Sequence, residues 1–421
     1  MKEAKEELNY RRQGEGLLLE ALKTCSAVYL SGPRKAGKTT LVREVCQGNY
    51  VSFNSPLLHA SVLDEPETFY RVLPKNELNI VDEAHFAAEQ LRYTEIGHET
   101  NSGNPPGQSS ENRYLLIGSM GLPMLYSHNS IKHSRIKELT ILPFSAAERR
   151  RAGTNFLRRL LIGKLGPRTF EAISIAEEIE GATFPELALN PEIDREQWFD
   201  NLLSSVLQRD IQTVLAIRNP ERIVSLLVSL AGRVGGLLND ASVIKETGLD
   251  AKTYAKYKAA ALYTFLTFEI EPWSGPNRLK KRLVCQKKSY FIDSNLLCYV
   301  MRRNLREVLS GDPVTSGRLF KNFAATEIVK QTAGVRGLRI RHFSPSGGKE
   351  VDFIIEAENG AAVGIDVSFK SALTARDFGN LQVMRTALGK NFNRGFIIYA
   401  GTEQKEFSEG LWAIPVNALW E

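Results

Sequence analysis

Length, composition and charge set the first limits on this chain. It has 421 residues, enough for about three domains at roughly 150 residues each. Hydrophobic residues make up 43% and charged residues 24%, which is ordinary for a globular protein and excludes global disorder. The formal net charge is +6 and the isoelectric point is about 9.0. This mild surplus permits contact with nucleic acid but does not require it.

The spacing of the cysteines and the composition of the first residues indicate the cellular compartment of the protein. Cys25, Cys46, Cys285 and Cys298 form no C-x-x-C pair and have no histidine at zinc-site spacing, so we expect reduced core thiols. The first residues are charged rather than apolar, unlike a signal peptide. No apolar run approaches the roughly 18 residues that a membrane span needs. The sequence predicts a cytoplasmic protein that does not enter a membrane.

The first motif is a phosphate-binding loop. A short apolar run at 26–31 predicts a strand, and directly after it stands a complete G-x-x-x-x-G-K-T motif that opens a predicted helix. Glycines turn backbone N–H groups toward phosphates, and the helix start adds partial positive charge. We expect Lys38 to reach the β- and γ-phosphates of ATP and the Thr39 hydroxyl to bind Mg²⁺. The candidate nucleotide-binding residues are Gly32, Pro33, Arg34, Lys35, Ala36, Gly37, Lys38, Thr39 and Thr40.

A second predicted strand begins at Leu78 and runs into two acids, Asp82 and Glu83. Asp82 suits a role in holding Mg²⁺, and Glu83 suits a role in polarising the attacking water. The alternative is a strand end with two solvated acids, which the phosphate loop disfavours. His85 is more typical of a helix start or an interface than of a metal ligand.

Two further strands complete the first block. The segment 113–119 predicts a strand with Ser119 at its tip, a candidate for sensing the γ-phosphate or orienting the water, and 136–144 predicts another strand. Between Glu83 and Tyr114, residues 101–112 have the composition of a surface loop. Strands alternating with helices predict an α/β fold with a parallel sheet covered on both faces.

The ordered motifs resemble a known family. They are GPRKAGKTTL (32–41), VDEAH (81–85), LLIGS (115–119), SRIKELTILPFSAAE (134–148), GATFPE (181–186) and QRDI (208–211), with further pieces at the carboxy terminus. Together they resemble the AAA-type P-loop ATPases of bacteria and archaea that carry a winged helix and a restriction-endonuclease-like domain. The resemblance covers nearly the whole chain. It implies an ATPase core at 1–150, a helical lid at 151–218, a winged helix-turn-helix at 219–290 and a restriction-endonuclease-like α/β domain at 291–421.

The resemblance also implies roles for two arginines. Arg135 matches a recurrent family position, either as an arginine finger that acts on a neighbouring subunit or as a brace for its own strand. The first role requires an oligomer and the second does not. Arg34 matches the family pattern as a structural or nucleotide-facing residue. The letters DEAH suggest a helicase, but no second RecA-like lobe follows.

The middle of the chain contains charge blocks and a helix-turn-helix pattern. Residues 149–168 are basic and 171–200 are acidic, a pattern typical of solvated or mutually pairing helix faces. A short helix, a turn at Gly248 and a second helix from 251 match a helix-turn-helix. Its candidate contacts to double-stranded DNA are Lys252, Tyr254 and Lys256. The basic stretch 278–290 is a candidate wing that touches phosphates; the alternative is a packing module without DNA contact.

The carboxy-terminal block has the layout of a nuclease domain with an incomplete site. A helix, a strand and a hairpin carrying Asp352 and Asp366 match the restriction-endonuclease-like order, in which carboxylates bind Mg²⁺ and a lysine steadies the water. The expected helix glutamate is Lys321, and the expected lysine is Ser368. Lys370 is the candidate substitute for that lysine. The sequence predicts a degenerate site with a binding role toward nucleic acid or a protein partner.

Three functional hypotheses follow. The leading one is an AAA-type ATPase that hydrolyses ATP with Mg²⁺ and acts as a conformational switch associated with nucleic acid. Its candidate catalytic residues are Lys38, Glu83, Ser119 and Arg135. The second is an ATP-gated, Mg²⁺-dependent DNA nuclease. The third is a regulatory scaffold in which ATP only stabilises the fold.

Overall fold

The structure is a computed structural model that describes most of the chain. The described residues are 10–55, 73–75, 77–87, 113–123, 136–152, 156–163, 165–214, 217, 219–273, 286–333, 335, 337–345 and 348–421. Arg135, the loop at 101–112 and the basic residues 278–282 of the candidate wing lie outside these ranges. Within the described residues, no helix is both long and apolar enough to cross a membrane.

The amino-terminal block contains a five-stranded parallel sheet, as the alternation of elements predicts. Its strands are β1 (Ala27–Ser31), β2 (Asn49–Ser52), β3 (Leu78–Asp82), β4 (Arg113–Ile117) and β5 (Ile136–Thr140), and their order is β2-β3-β4-β1-β5. One face packs against helices α1 (Glu15–Thr24) and α2 (Lys38–Val45). Because β3, β4 and β1 are neighbours, their carboxyl ends bring together the residues that follow them.

The middle of the chain is helical. Its helices are α3 (Ala146–Arg149), α4 (Phe156–Ile162), α5 (Ile175–Gly181), α6 (Pro185–Leu189), α7 (Arg195–Ser205), α8 (Arg222–Ala231), α9 (Asp240–Thr247) and α10 (Ala251–Tyr263). A π-helical segment, Val206–Val214, continues α7. Gly248, at φ +63°, ends α9, and the Asp250 side chain caps α10. Two antiparallel strands, β7 (Thr267–Ile270) and β8 (Lys288–Phe291), follow.

The carboxy-terminal block contains a seven-stranded mixed sheet. Helices α11 (Ser294–Val300), α12 (Leu305–Ser310) and α13 (Pro313–Ala333) precede it, and α14 (Gly379–Leu388) lies on one face. Its strands are β6 (Arg168–Thr169), β9 (Leu338–Phe343), β10 (Val351–Ala357), β11 (Ala362–Ser368), β12 (Phe392–Tyr399), β13 (Glu403–Ser408) and β14 (Leu411–Pro415). The order is β6-β13-β14-β12-β11-β10-β9. β10 and β11 form the hairpin that carries Asp352 and Asp366.

Buried polar contacts join α13 to the segment that follows β5. Glu327 is fully buried, and its carboxylate accepts the Ala146 backbone N–H at 2.9 Å, while the Lys330 ammonium donates to the Phe144 carbonyl at 2.9 Å. Burial raises the pKa of Glu327. An apolar core runs without interruption from the helices after β5 through the helix-turn-helix to one face of the carboxy-terminal sheet. Glu327 therefore has a structural role in the contact between α13 and the segment that follows β5.

Candidate functional site

The loop between β1 and α2 has the backbone that its glycines permit. Gly37 has φ +87°, and Lys35 has φ +64°. A Cβ on Gly32 would lie 2.0 Å from the carbonyl oxygen of Ile141, the residue that follows β5. Gly32 is therefore required by close packing and Gly37 by its left-handed backbone conformation.

Lys38 is buried under this loop. Its ammonium donates to the carbonyl oxygens of Gly32 at 2.8 Å and Pro33 at 2.7 Å. Burial lowers the pKa of Lys38 to about 8, although Glu83 and Asp82 act in the opposite direction. A buried ammonium without a carboxylate partner is suited to receive a phosphate.

Asp82 joins the end of β3 to the first turn of α2. One carboxylate oxygen accepts the Thr39 hydroxyl at 3.0 Å and the Tyr50 hydroxyl at 2.5 Å. Burial and the bond to Asp82 raise the pKa of Tyr50 to about 12. Tyr50, on β2, is a site residue that the sequence analysis missed, because only its register beside β3 brings it to Asp82. Thr39 and Asp82 are both oxygen donors, the ligand type that Mg²⁺ prefers beside nucleotide phosphates.

Glu83 has a strained backbone and a crowded carboxylate. Its φ is +55°, a conformation uncommon outside glycine that is typically found at functional sites. Oε2 accepts the Ser119 hydroxyl at 3.4 Å, and Oε1 lies 3.3 Å from the Arg34 guanidinium. The structure thus brings Glu83, Ser119 and the phosphate loop together.

Arg34 connects Glu83 to the π-helical segment that continues α7. Its Nε and Nη2 donate to the two carboxylate oxygens of Asp210 at 2.6 and 2.5 Å. His85 lies between the acids, with Nδ1 3.5 Å from Glu83 and Nε2 3.8 Å from Asp210. Although burial raises the pKa of Asp210, His85 and Arg34 lower it below its ordinary value. The sequence analysis noted the QRDI segment but gave Asp210 no role.

A cavity of about 580 Å³ opens beside these residues. The phosphate loop, Asp82, Glu83 and Ser119 line one side, and residues of α6 and α7 line the other. Lys35 of the loop pairs with Glu186 of α6 at 3.0 Å, and the Trp198 indole N–H donates to the same carboxylate at 3.1 Å. The lining on the side of α6 and α7 is Pro185, Glu186, Trp198, Asn201, Leu202 and Ser205. Pro185 and Glu186 belong to the GATFPE segment, for which the sequence predicts no role of its own.

The second acid pair lies on the β10–β11 hairpin. Asp352 is buried, and its Oδ1 accepts the ammonium groups of Lys288 at 2.7 Å and Lys321 at 2.9 Å. Burial alone raises the pKa of Asp352, but the two lysines bring it below its ordinary value. Burial and the neighbouring Asp352 charge raise the pKa of Asp366 well above its ordinary value. Two lysine ammonium groups therefore contact the carboxylate to which the nuclease hypothesis assigns a metal ion.

The structure contradicts the predicted positions of two lysines. Lys370 is not part of this acid cluster: β11 ends at Ser368, and the exposed Lys370 side chain donates to Asp377 at 2.6 Å. Lys288, assigned to the wing from sequence, is fully buried against Asp352 and pairs also with Glu350. A basic residue in a charge run can turn inward wherever the fold supplies a buried carboxylate.

A family comparison now identifies the first block. Residues 25–149 match the family described as AAA domain. The match covers the amino-terminal block and identifies it as an AAA domain. The AAA domain holds the phosphate loop, Asp82, Glu83 and Ser119. Two further families, each described as a domain of unknown function (DUF8612 and DUF4143), match residues 176–307 and 316–419. The winged helix and the restriction-endonuclease-like domain stay predictions.

Comparisons with other proteins give weaker likenesses. A Walker-type ATPase of Pyrococcus abyssi is 14% identical, with 70% of this chain and 97% of that chain covered and a TM-score of 0.38. A mutant of Thermotoga maritima RuvB is 15% identical, with 61% and 87% covered and a TM-score of 0.26. Brucella abortus NtrX in complex with ATP is 14% identical, with 61% and 69% covered and a TM-score of 0.26. All three TM-scores are below 0.5, and a comparison with curated proteins gives no match.

Helix α10, beside the AAA domain, carries both exposed and buried residues among those predicted to contact DNA. Lys252 and Lys256 are exposed on α10. Tyr254 is 4% exposed, and its hydroxyl donates to Asp240 at 2.6 Å. The prediction that Tyr254 contacts DNA is therefore wrong, because its ring packs α10 against the core and its hydroxyl is already paired. The Gly121 N–H of the AAA domain donates to the Tyr263 carbonyl at the end of α10.

Proposed function

We propose that this protein binds ATP with Mg²⁺ in the cavity beside the phosphate loop and hydrolyses it. The observation that carries the proposal is the convergence of Lys38, the Thr39–Asp82 pair and Glu83 on one cavity. Lys38 would bind the β- and γ-phosphates, and Thr39 and Asp82 would hold the Mg²⁺. The metal would draw charge from the phosphate oxygens.

Glu83 is the proposed residue for activating water. Its carboxylate lies at the end of β3, beside the Ser119 hydroxyl, which we propose orients the water or senses the γ-phosphate. A carboxylate within hydrogen-bond reach of a water can accept its proton as the oxygen attacks phosphorus. Arg135, which lies outside the described residues, stays a predicted arginine finger or strand brace.

The test measures ATP turnover by the full chain with Mg²⁺. We expect turnover that Lys38→Ala and Glu83→Gln abolish. Lys38→Ala should also weaken nucleotide binding, whereas Glu83→Gln should leave it near that of the unchanged protein. A matched control is Lys330→Gln, which alters a buried lysine outside the cavity. Nucleotide binding without turnover in the unchanged protein would favour the regulatory scaffold instead.

We also propose that the ATPase is coupled to double-stranded DNA through α10. The exposed Lys252 and Lys256 support this proposal, since phosphate contacts come mainly from lysine and arginine. We expect added duplex DNA to stimulate turnover and a Lys252→Ala, Lys256→Ala variant to lose stimulation. The salt dependence of DNA binding should fall by about one unit of slope for each lost phosphate contact. Lys390→Ala, an exposed lysine of the carboxy-terminal block, serves as the charge-matched control.

For the carboxy-terminal acid pair we propose binding without nuclease chemistry. Lys288 and Lys321 neutralise Asp352, and Asp366 holds its proton more tightly than usual. In the described part of the chain, no group of three or more histidine, cysteine, aspartate or glutamate side chains is placed to hold a metal ion. DNA nicking that depends on Mg²⁺ and is lost in both Asp352→Asn and Asp366→Asn would instead support the nuclease hypothesis.

A further inference from the structure

A buried arginine contacts the phosphate loop from outside the nucleotide cavity. Arg12 is 6% exposed, and its Nη1 donates to the Ala36 carbonyl of the loop at 2.8 Å. Among the described residues, Gly37 lines the cavity and Arg12 does not. The sequence analysis gave Arg12 no role, because 24 residues separate it from Ala36 and no motif joins them.

Other contacts hold this guanidinium in place. Its Nε donates to the buried Glu148 carboxylate at 3.0 Å, and Nη2 donates to the Leu142 carbonyl at 2.5 Å. The guanidinium also lies over the Phe144 ring, 4.9 Å from its centroid. Because the planar guanidinium has a partner at each of its three nitrogens, its orientation is fixed, and it imposes a direction on the Ala36 carbonyl.

The direction of the Ala36 carbonyl determines the direction of the next backbone N–H. In a planar trans peptide the carbonyl and the following N–H point in opposite directions, and the described residues contain no cis peptide bond. With its carbonyl turned toward Arg12, this peptide turns the Gly37 N–H away from Arg12. The Gly37 N–H has no acceptor among the residues that the structure describes. Since backbone N–H groups rarely stay unpaired, this donor is available to an anion in the cavity.

Gly37 also gives Arg12 room to reach the loop. A Cβ on Gly37 would lie 3.1 Å from Arg12 Nη1, which is closer than ordinary van der Waals contact. The glycine therefore satisfies two requirements, its left-handed backbone at φ +87° and the close approach of the guanidinium. Arg12 and the Ala36–Gly37 peptide thus form one packed unit.

We propose that Arg12 is a positioning residue for phosphate binding and acts through the Ala36–Gly37 peptide. By holding the Ala36 carbonyl outside the cavity, it keeps the Gly37 N–H directed at the phosphates of the nucleotide. The loop then binds phosphate without first rotating this peptide. This inference rests on the nucleotide-binding part of the proposed function and does not depend on hydrolysis.

The direct test observes the Gly37 amide of the full chain by NMR. Labelling alanine carbonyls with ¹³C and glycine nitrogens with ¹⁵N selects Ala–Gly peptides, of which the sequence has five, and Ala36→Ser removes one signal and so assigns it. We expect inorganic pyrophosphate to move the Gly37 amide proton downfield, because a phosphate oxygen accepts this N–H. Arg12→Lys keeps the charge but lacks the planar fork, so it should lose most of this shift.

The second measurement is the affinity for a non-hydrolysable ATP analogue in calorimetry. We expect Arg12→Lys to weaken it about tenfold, since a hydrogen bond to a charged group is lost. Glu148→Gln is the control: it weakens the buried ion pair but keeps the contact of Arg12 with Ala36. It should lower the unfolding temperature and leave the affinity and the Gly37 shift nearly unchanged. If Arg12→Lys does not fold, Arg12→Met combined with Glu148→Gln leaves no buried charge unpaired and gives the same comparison.

The outcomes separate this inference from the proposed function. A Gly37 shift and an affinity that Arg12→Lys leaves unchanged would overturn the inference and leave the proposed ATP site standing. Equal losses of affinity in Arg12→Lys and Glu148→Gln would assign Arg12 to general support of the fold and overturn it as well. Absence of binding of both pyrophosphate and the ATP analogue by the unchanged protein would overturn the proposed function and this inference with it.

Discussion

Two pairs of acidic residues in this molecule both lie on or at the end of buried strands, but their lysine neighbours differ. Asp82 and Glu83 end a buried parallel strand, and Asp352 and Asp366 lie on a buried hairpin. At the first pair, the nearby Lys38 donates to backbone carbonyls and the acids face a cavity. At the second, Lys288 and Lys321 donate directly to Asp352.

The difference shows that the partners of an acid pair decide its chemistry. Lys38 has a lowered pKa because burial is not offset by a directly bonded carboxylate. Lys288 and Lys321 have raised pKa values, since their attraction to Asp352 outweighs their burial. A lysine of the first kind can accept an external anion, whereas lysines of the second kind are already neutralised. Four predictions can break or sharpen this comparison.

The largest effect is expected from removing Asp352. Asp352→Ala leaves the buried Lys288 with Glu350 alone and the half-buried Lys321 without this carboxylate, and we expect the free energy of unfolding to fall by about 3 kcal/mol. The measurement is urea unfolding followed by tryptophan fluorescence. Lys370→Ala, which breaks an exposed pair with Asp377, should leave the unfolding midpoint nearly unchanged. An equally small effect of Asp352→Ala would show that the buried cluster is not tightly paired.

Substitution of Lys321 by an acid should allow Asp352 and Asp366 to bind a metal ion, as we propose for Asp82. Lys321→Glu replaces a cation with a carboxylate beside Asp352 and Asp366, so three acids would face one another. We expect one additional Mn²⁺ per chain in calorimetry without nucleotide, compared with Lys321→Gln. Adding Asp352→Asn to the glutamate variant should remove the extra Mn²⁺. Equal Mn²⁺ binding by Lys321→Glu and Lys321→Gln would argue against the lysine as the barrier to metal.

Lys38 should make nucleotide affinity depend on pH. The pKa of about 8 means that the free protein loses the ammonium above that pH. We expect the affinity for a non-hydrolysable ATP analogue to fall up to about tenfold for each further pH unit, or about 1.4 kcal/mol. For folding the sign is reversed: the cost of burying this charge is present below pH 8 and decreases as pH rises toward the ordinary lysine value. Lys38→Ala should abolish the pH dependence of binding, and its persistence there would assign it to another group.

The smallest effect concerns Tyr50. Tyr50→Phe removes one of the two hydroxyl donors to Asp82 and leaves the Thr39 contact intact. We expect a loss of about 1 kcal/mol in stability and a change in turnover of only a few fold. Tyr399→Phe, which removes the hydroxyl that donates to the Glu403 carbonyl and accepts the Glu403 N–H, is a control for stability. A turnover loss as large as that of Glu83→Gln would give Tyr50 a direct part in the reaction.

Local patterns were sufficient for much of the fold and for the first site. The strands before Gly32 and through Asp82 were predictable from short apolar runs, and the parallel sheet followed from their alternation with helices. The phosphate loop was predictable because its function depends on a fixed local spacing. Tyr50 and Asp210 were not, because Tyr50 reaches the site through strand register and Asp210 through the packing of a helical segment distant in sequence.

Other residues were misassigned for the same physical reason. Tyr254 and Lys288 have residue types that suit DNA contact, but packing turned both inward to buried acids or structural partners. Lys370 was placed beside Asp366 by strand periodicity, but β11 ends two residues before it. Side-chain direction beyond a strand end depends on neighbours that periodicity does not reveal.

The sequence by itself determined the phosphate loop, its acidic strand end and the AAA domain at 25–149, because these depend on residues close together in the chain. Only the tertiary structure decided which cation each acid meets. A net charge of +6 says little about that, since the free energy of a charge depends on its burial and its nearest partners. Arg34 between Asp210 and Glu83, and two lysines on Asp352, are pairings that exist only once distant segments pack together.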